Sequence, residues 1–177
     1  MRARISRVSA PPGWPAKPRP EAFRVRHNVS KVLPYAPEQL FRLVGDVSKY
    51  PEFLPWITAM RTWNARPLGD GVTAVDAEAG VGFSFLKETF ATRVRRDAHN
   101  RQIDVSLISG PFRKLENRWR FLDAGRGATR IEFEIEFVFK SRLLEGLLRS
   151  NFNHAVDKLI DCFEARAEAL YGQSNAA

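Results

Sequence analysis

The chain has a single cysteine, Cys162. That excludes an intramolecular disulfide and any cysteine-built zinc site, and it fits a reducing compartment. Histidine is scarce too, with only His27, His99 and His154 in 177 residues. No spacing among them supports a Ser-His-Asp or Cys-His nucleophile. No apolar run approaches the roughly 18 residues of a membrane-spanning helix. The N-terminus lacks the apolar core of a secretory signal. There is no Gly-x-x-x-x-Gly-Lys phosphate loop. The pairs Gly69/Gly71, Gly80/Gly82 and Gly125/Gly127 lead into strands rather than helices, which makes them turn or kink glycines. No period of 20–50 residues repeats.

Charge is present but uneven. The net charge is +8, and residues 1–26 hold seven Lys/Arg against one acid, Glu21. Residues 27–177 hold 21 Lys/Arg against 19 acids. The body is therefore near neutral, which weakens a nucleic-acid reading and excludes DNA as the expected partner. Residues 1–22 include Pro11, Pro12, Pro15, Pro18 and Pro20 without periodicity and read as a disordered basic extension. The Arg-rich, acid-poor composition also fits an organelle transit peptide, although the prolines oppose the helix such a peptide needs. The domain expectation is a folded body over 23–172, with a short disordered tail over 173–177.

The pattern of the body predicts an α+β fold. A strand over 23–33 precedes a helix opened by Pro37, with Leu40, Phe41 and Val44 inward and Gly45 at its end. A short turn follows near Ser48. Strands are predicted over 57–66, 72–79, 82–96, 102–108, 112–122 and 128–140. Within 82–96, Phe83 and Phe85 share one parity while Phe90 and Val94 share the other, so a bulge near Leu86–Lys87 is expected. Arg118 and Arg120 are expected to face Glu132, Glu134 and Glu136 across the last hairpin, marking that side as solvent. The other side of the last strand, Phe133, Ile135 and Phe137, must then meet the final helix. That helix, over 142–170, carries a stripe of Leu144, Leu148, Phe152, Ala155, Leu159, Phe163 and Leu170. A half-buried sheet under a long amphipathic helix encloses an apolar space.

Little chemistry is available to fill that space. His154, Asp157 and Asp161 share one side of the final helix, but the wheel turns that side to water, so no metal site is expected. Cys162 flanks the stripe and reads as a small core residue. Arg166 falls on the stripe, either as a snorkelling side chain or as a charge at a pocket rim. The stretch Tyr50-Pro51-Glu52-Phe53-Leu54-Pro55-Trp56 pins large apolar side chains between prolines, forming either a core plug or an apolar lip. A cyclase-type enzyme would need a polar group inside, and Asn117, Arg166 and the pair His27/Asn28 are the available ones. No catalytic residue, no cofactor and no metal is expected, and the chain is read as a non-enzyme.

Three stretches carry a family resemblance: Val44–Trp56, Gly110–Phe121 and Ile131–Leu144. With them the body resembles the ubiquinone-binding START-domain proteins of the polyketide cyclase/dehydrase-like superfamily. The resemblance implies a helix-grip fold. In that fold a curved antiparallel sheet of six to seven strands wraps a long C-terminal helix, with two short helices after strand 1. It implies a carrier or chaperone for ubiquinone or another polyprenyl-quinone lipid, held as a bound ligand and supporting respiratory electron transfer. The expected contacts are Tyr50, Pro51, Phe53, Leu54 and Trp56 at the mouth and Phe83, Phe85, Trp119, Phe133, Ile135 and Phe137 on the floor. Leu144, Leu148 and Phe152 are expected on the helix. It also implies a cytoplasmic protein, with contact at the inner face of a bacterial inner membrane. The same family includes proteins described as ribosome-associated toxins, so a ribosome-binding module that inhibits translation is the alternative.

Overall fold

Seven strands pair in the order β1-β7-β6-β5-β4-β3-β2, every neighbour antiparallel. The strands are β1 (Arg24–Leu33), β2 (Ile57–Gly69), β3 (Val72–Phe83), β4 (Leu86–Asp97), β5 (Gln102–Ser109), β6 (Phe112–Gly125) and β7 (Ala128–Phe139). Helix α1 (Pro37–Gly45) and a 3-10 helix (Val47–Glu52) follow β1, and α2 (Arg142–Arg149) and α3 (Phe152–Tyr171) follow β7. This computed structural model describes residues 24–83, 86–149 and 152–172, with 83, 86, 147–149 and 152 described by backbone alone. The tails at 1–22 and 173–177 and the middle of the expected 142–170 helix lie outside the described residues. No described helix is long and apolar enough to cross a membrane.

β1 and β7 lie side by side although they are first and last in sequence, so the chain closes on itself through ten paired positions, Arg24↔Val138 to Leu33↔Thr129. α1 starts as its sequence suggests, with Pro37 at its first turn and the Ala36 N–H donating to Gln39 Oε1 at 2.9 Å. Leu40, Leu43 and Val44 are buried against the sheet.

Several expectations change. The strand expected over 82–96 is two strands, because Phe83 stands opposite Leu86 across a reversal. The parity switch that suggested a bulge comes from that reversal. β2 runs on through Pro67 to Gly69; it is an edge strand, where the missing N–H of proline leaves no ladder bond unmade. Arg120 does meet Glu132 (3.2 Å) and Glu134 (2.7 Å), but Arg118 turns to Asp104 (2.7 Å). Glu136, only 8% exposed, is held by Arg24 (3.1 Å), Arg26 (3.2 Å) and Lys114 (3.0 Å).

Buried carboxylates on the outer face tie stability to pH. Asp76 is 2% exposed and accepts from Arg93 Nε at 2.8 Å, Arg93 Nη2 at 3.2 Å and Asn64 at 3.1 Å. Those bonds, Arg93 first, hold its carboxyl below the usual range, and Lys114 does the same most strongly for Glu136. A depressed carboxylate contributes stability above its unfolded pKa, and that contribution is lost as pH falls through the folded value. Asp76→Asn is therefore expected to flatten the loss of stability between roughly pH 5 and pH 2, read by urea denaturation across that range.

Gly110, between β5 and β6, has φ +134°, and an added Cβ would lie 2.4 Å from Phe90 Cβ and 2.9 Å from Phe90 Cα. Gly110→Ala is expected to destabilise by at least about 2 kcal/mol, measured as a shift in denaturation midpoint.

Candidate ligand-binding site

Strand alternation sends the odd-numbered residues of β1, β5 and β7, those of β6 from Leu115 onward, and the even-numbered residues of β4 toward the helices, while a register shift after Phe112 turns that residue inward instead of Arg113. Two apolar clusters form on that inner face. The larger joins α1, the 3-10 helix and α3 to the sheet, through Leu40, Val44, Leu54, Ile103, Trp119, Phe121, Phe133, Val156, Ile160, Phe163 and neighbours. The smaller lies toward the other end: Leu115, Phe137, Phe139 and Leu144, with Val25, Phe90, Leu107 and Phe112 partly buried around them.

Between the clusters runs one row across the sheet, His27–Ile135–Asn117–Val105, fixed by the pairings of β1, β7, β6 and β5. All four are half-buried. In the rows on either side, Phe133 and Trp119 are 2% and 4% exposed, and Phe137 and Leu115 are 4% and 6%. The row is less covered than those residues, although Ile135 packs against both clusters and Val105 against the larger one. Oδ1 of Asn117 is buried with no hydrogen-bond partner. An unpaired buried polar atom is costly, of order 1–3 kcal/mol, unless something binds it. Asn117 shares the parity of Leu115, Trp119 and Phe121, which is the sequence signal that finds it; His27 enters the row only through the β1–β7 pairing.

The expected site residues divide. Trp119, Phe133, Phe137 and Leu144 are buried on the inner face, and Ile135 is half-buried in the open row. The side chains of Phe83, Phe85, Leu148 and Phe152 lie outside the described residues. Val25, Val29, Val105, Leu107 and Phe112 also face inward, and the sequence reading missed them. The 50–56 stretch packs onto α3: Tyr50 and Phe53 meet the Phe163 ring edge-on at centroid distances of 5.3 and 5.1 Å. The Tyr50 hydroxyl donates to the Val44 carbonyl at 2.7 Å, and burial pushes its pKa up. Leu54 is 1% exposed, Trp56 is half-buried, and Pro51 is exposed. Arg166 donates to Glu52 at 2.6 Å and lies 5.5 Å over the Phe53 ring, so it fastens this stretch to α3.

The α3 stripe is turned from the expected one. Val156, Ile160, Phe163 and Ala167 are buried, whereas Ala155 is exposed and Leu170 is 47% exposed. His154, Asp157 and Asp161 are exposed, as the wheel indicated. Cys162 is half-buried against the core, and burial raises its thiol pKa. Phe163 also meets Trp119 at 5.4 Å. Phe163→Ala is expected to cost about 3–5 kcal/mol, and Ala155→Asp to stay within about 0.5 kcal/mol, in denaturant titrations.

A groove of about 510 Å³ is lined by the charged outer residues Arg26, Asp104, Arg118, Glu134 and Glu136 and also by Val105, Asn117 and Ile135 of the half-buried row. Its charges are largely paired within the sheet.

A seven-stranded antiparallel sheet gripping a C-terminal helix over an apolar interior defines a helix-grip protein of the START type. The chain belongs to the polyketide cyclase/dehydrase and lipid transport family, whose model matches residues 33–164. It is 36% identical over 141 residues to the ribosome association toxin RatA of Escherichia coli K12, covering 79% of this chain and 85% of that protein. It is 30% identical over 153 residues to the mitochondrial coenzyme Q-binding protein COQ10 homolog B of Xenopus laevis, covering 85% of this chain and 61% of that protein. The solution structure of the 18 kDa protein CC1736 from Caulobacter crescentus superposes with a TM-score of 0.71 at 64% identity, covering 84% of this chain and 99% of that one.

Proposed function

We propose that the chain binds a polyprenyl quinone or a precursor of one between sheet and helices, and holds it without converting it. The observation that carries this reading is the accessible row with the unpaired Asn117 oxygen, set in an otherwise apolar interior. A quinone headgroup has the matching chemistry. The amide oxygen and nitrogen of Asn117 exchange by a half-turn of χ2, so the side chain offers a donor to a carbonyl or an acceptor to a hydroxyl. An isoprenoid tail adds roughly 0.8 kcal/mol per buried CH₂ against Ile135, Val105 and the flanking phenylalanines. The coenzyme Q-binding relative supports the same ligand class.

Protein purified from a quinone-containing bacterium, extracted with solvent and examined by mass spectrometry, is expected to release quinone or a prenylated precursor. Extracts without either, from a folded preparation, would remove the reading. Asn117→Leu separates headgroup recognition from folding. It is expected to weaken quinone binding by about five- to thirtyfold while leaving the empty protein as stable or more so, since the orphaned polar atom is gone.

The RatA relatives favour a second reading, a module that associates with ribosomes and restrains translation. Sedimentation with ribosomes in sucrose gradients at physiological salt tests it. Ribosome association undiminished by Asn117→Leu would place that activity on another surface.

A further inference from the structure

We infer that the end of the sheet where the β5–β6 turn and the end of β7 meet α2 is a docking surface for an anionic lipid bilayer. The topology brings the start of β1, the β3–β4 reversal, the β5–β6 turn and the β7–α2 junction to this one end.

Two features coincide there. Leu143, on α2, is 74% exposed, the most exposed large apolar side chain among the described residues, and Ile108 at the end of β5 is 44% exposed. At the same end of the sheet lie four exposed cations, Lys87, Arg113, Lys140 and Arg142. Most cations elsewhere on the sheet have a carboxylate: Arg93 has Asp76, Arg118 has Asp104, Arg120 has Glu132 and Glu134, and Arg24, Arg26 and Lys114 share Glu136. Among the described residues Lys87, Arg113 and Arg142 have no ion pair, and Lys140 donates only to the Gly110 carbonyl. The acids sharing this end are Glu88, Glu145, Glu116 and Glu136, of which Glu116 and Glu136 are held by Lys114, Arg24 and Arg26.

Unneutralised cations around a protruding leucine match an anionic interface, where the charges meet headgroups and the apolar tip enters the acyl boundary. A phosphate backbone would use the cations but not Leu143. The neighbouring Leu144 points the other way, into the smaller apolar cluster with Phe112, Phe137 and Phe139. The bilayer would therefore lie over the smaller apolar cluster.

The test uses the full chain and vesicles free of quinone, so its outcome is independent of the ligand assignment. Co-sedimentation is compared for phosphatidylcholine vesicles and for phosphatidylcholine mixed with phosphatidylglycerol. Binding to the anionic vesicles is expected to exceed binding to neutral ones by at least about tenfold and to weaken as salt rises. Leu143→Asp, and separately Arg113→Glu with Arg142→Glu, should each lower it by at least about tenfold with an unchanged melting temperature. Val32→Asp, at the opposite end of β1, should change nothing. Equal binding to both vesicles, no binding to either, or wild-type binding by both variants overturns the proposal. So does loss of ribosome co-sedimentation with vesicle binding intact, which would assign the surface to RNA.

Discussion

The fold depends on one contact, the insertion of Phe163 from α3 among Trp119, Tyr50 and Phe53. Trp119 in turn lies 4.2 Å from Phe133 on the neighbouring strand, so the helix is anchored to the middle of the sheet through tilted and edge-on rings. Aromatic pairs add about 0.5–1.5 kcal/mol beyond their buried area, and four in one place make this the most strongly specified junction of the interior. It fixes the rotation of α3 about its own axis. It also holds the 50–56 stretch against the helix, with Arg166 and Glu52 closing the outside.

Sealing one end this firmly leaves the remaining inner face for something else. The row from His27 to Val105 is half-buried, whereas Phe133 and Trp119 on one side and Phe137 and Leu115 on the other are buried. The unpaired amide oxygen of Asn117 costs stability, and the carbonyl or hydroxyl of the proposed ligand would offset that cost. The exposed Leu143 and its unpaired cations lie at the end away from the aromatic anchor. The firm end and the proposed receptive end of the same interior are thus set apart by the distribution of large side chains.

Much of this was legible along the chain. Alternation through Ile131–Phe139 located β7 and its inner face, and Pro37 and Gly45 bounded α1 correctly. Asn117 could be placed inward by counting from Trp119. The reversal between Phe83 and Leu86 was not legible as a turn, because a hairpin and a bulge both switch parity. The wheel of α3 was misread because Leu159 and Leu170 lie beside Val156, Ile160 and Phe163, giving two adjacent stripes of similar hydrophobicity. Arg118 took Asp104 rather than a glutamate because β5 flanks β6 on its other side, and either neighbour satisfied its charge.

Periodicity, proline placement and the scarcity of cysteine and histidine determined the α+β class, the seven strands and the apolar interior. These are local properties, set by whether side chains alternate every two residues or every three to four. Tertiary structure alone decided which stripe of α3 is buried, that His27 and Asn117 share a row, and that Leu143 shares one end of the sheet with Arg113 and Lys140. Each depends on pairings between residues distant in sequence, above all β1 with β7, and long-range register is not encoded in any single segment.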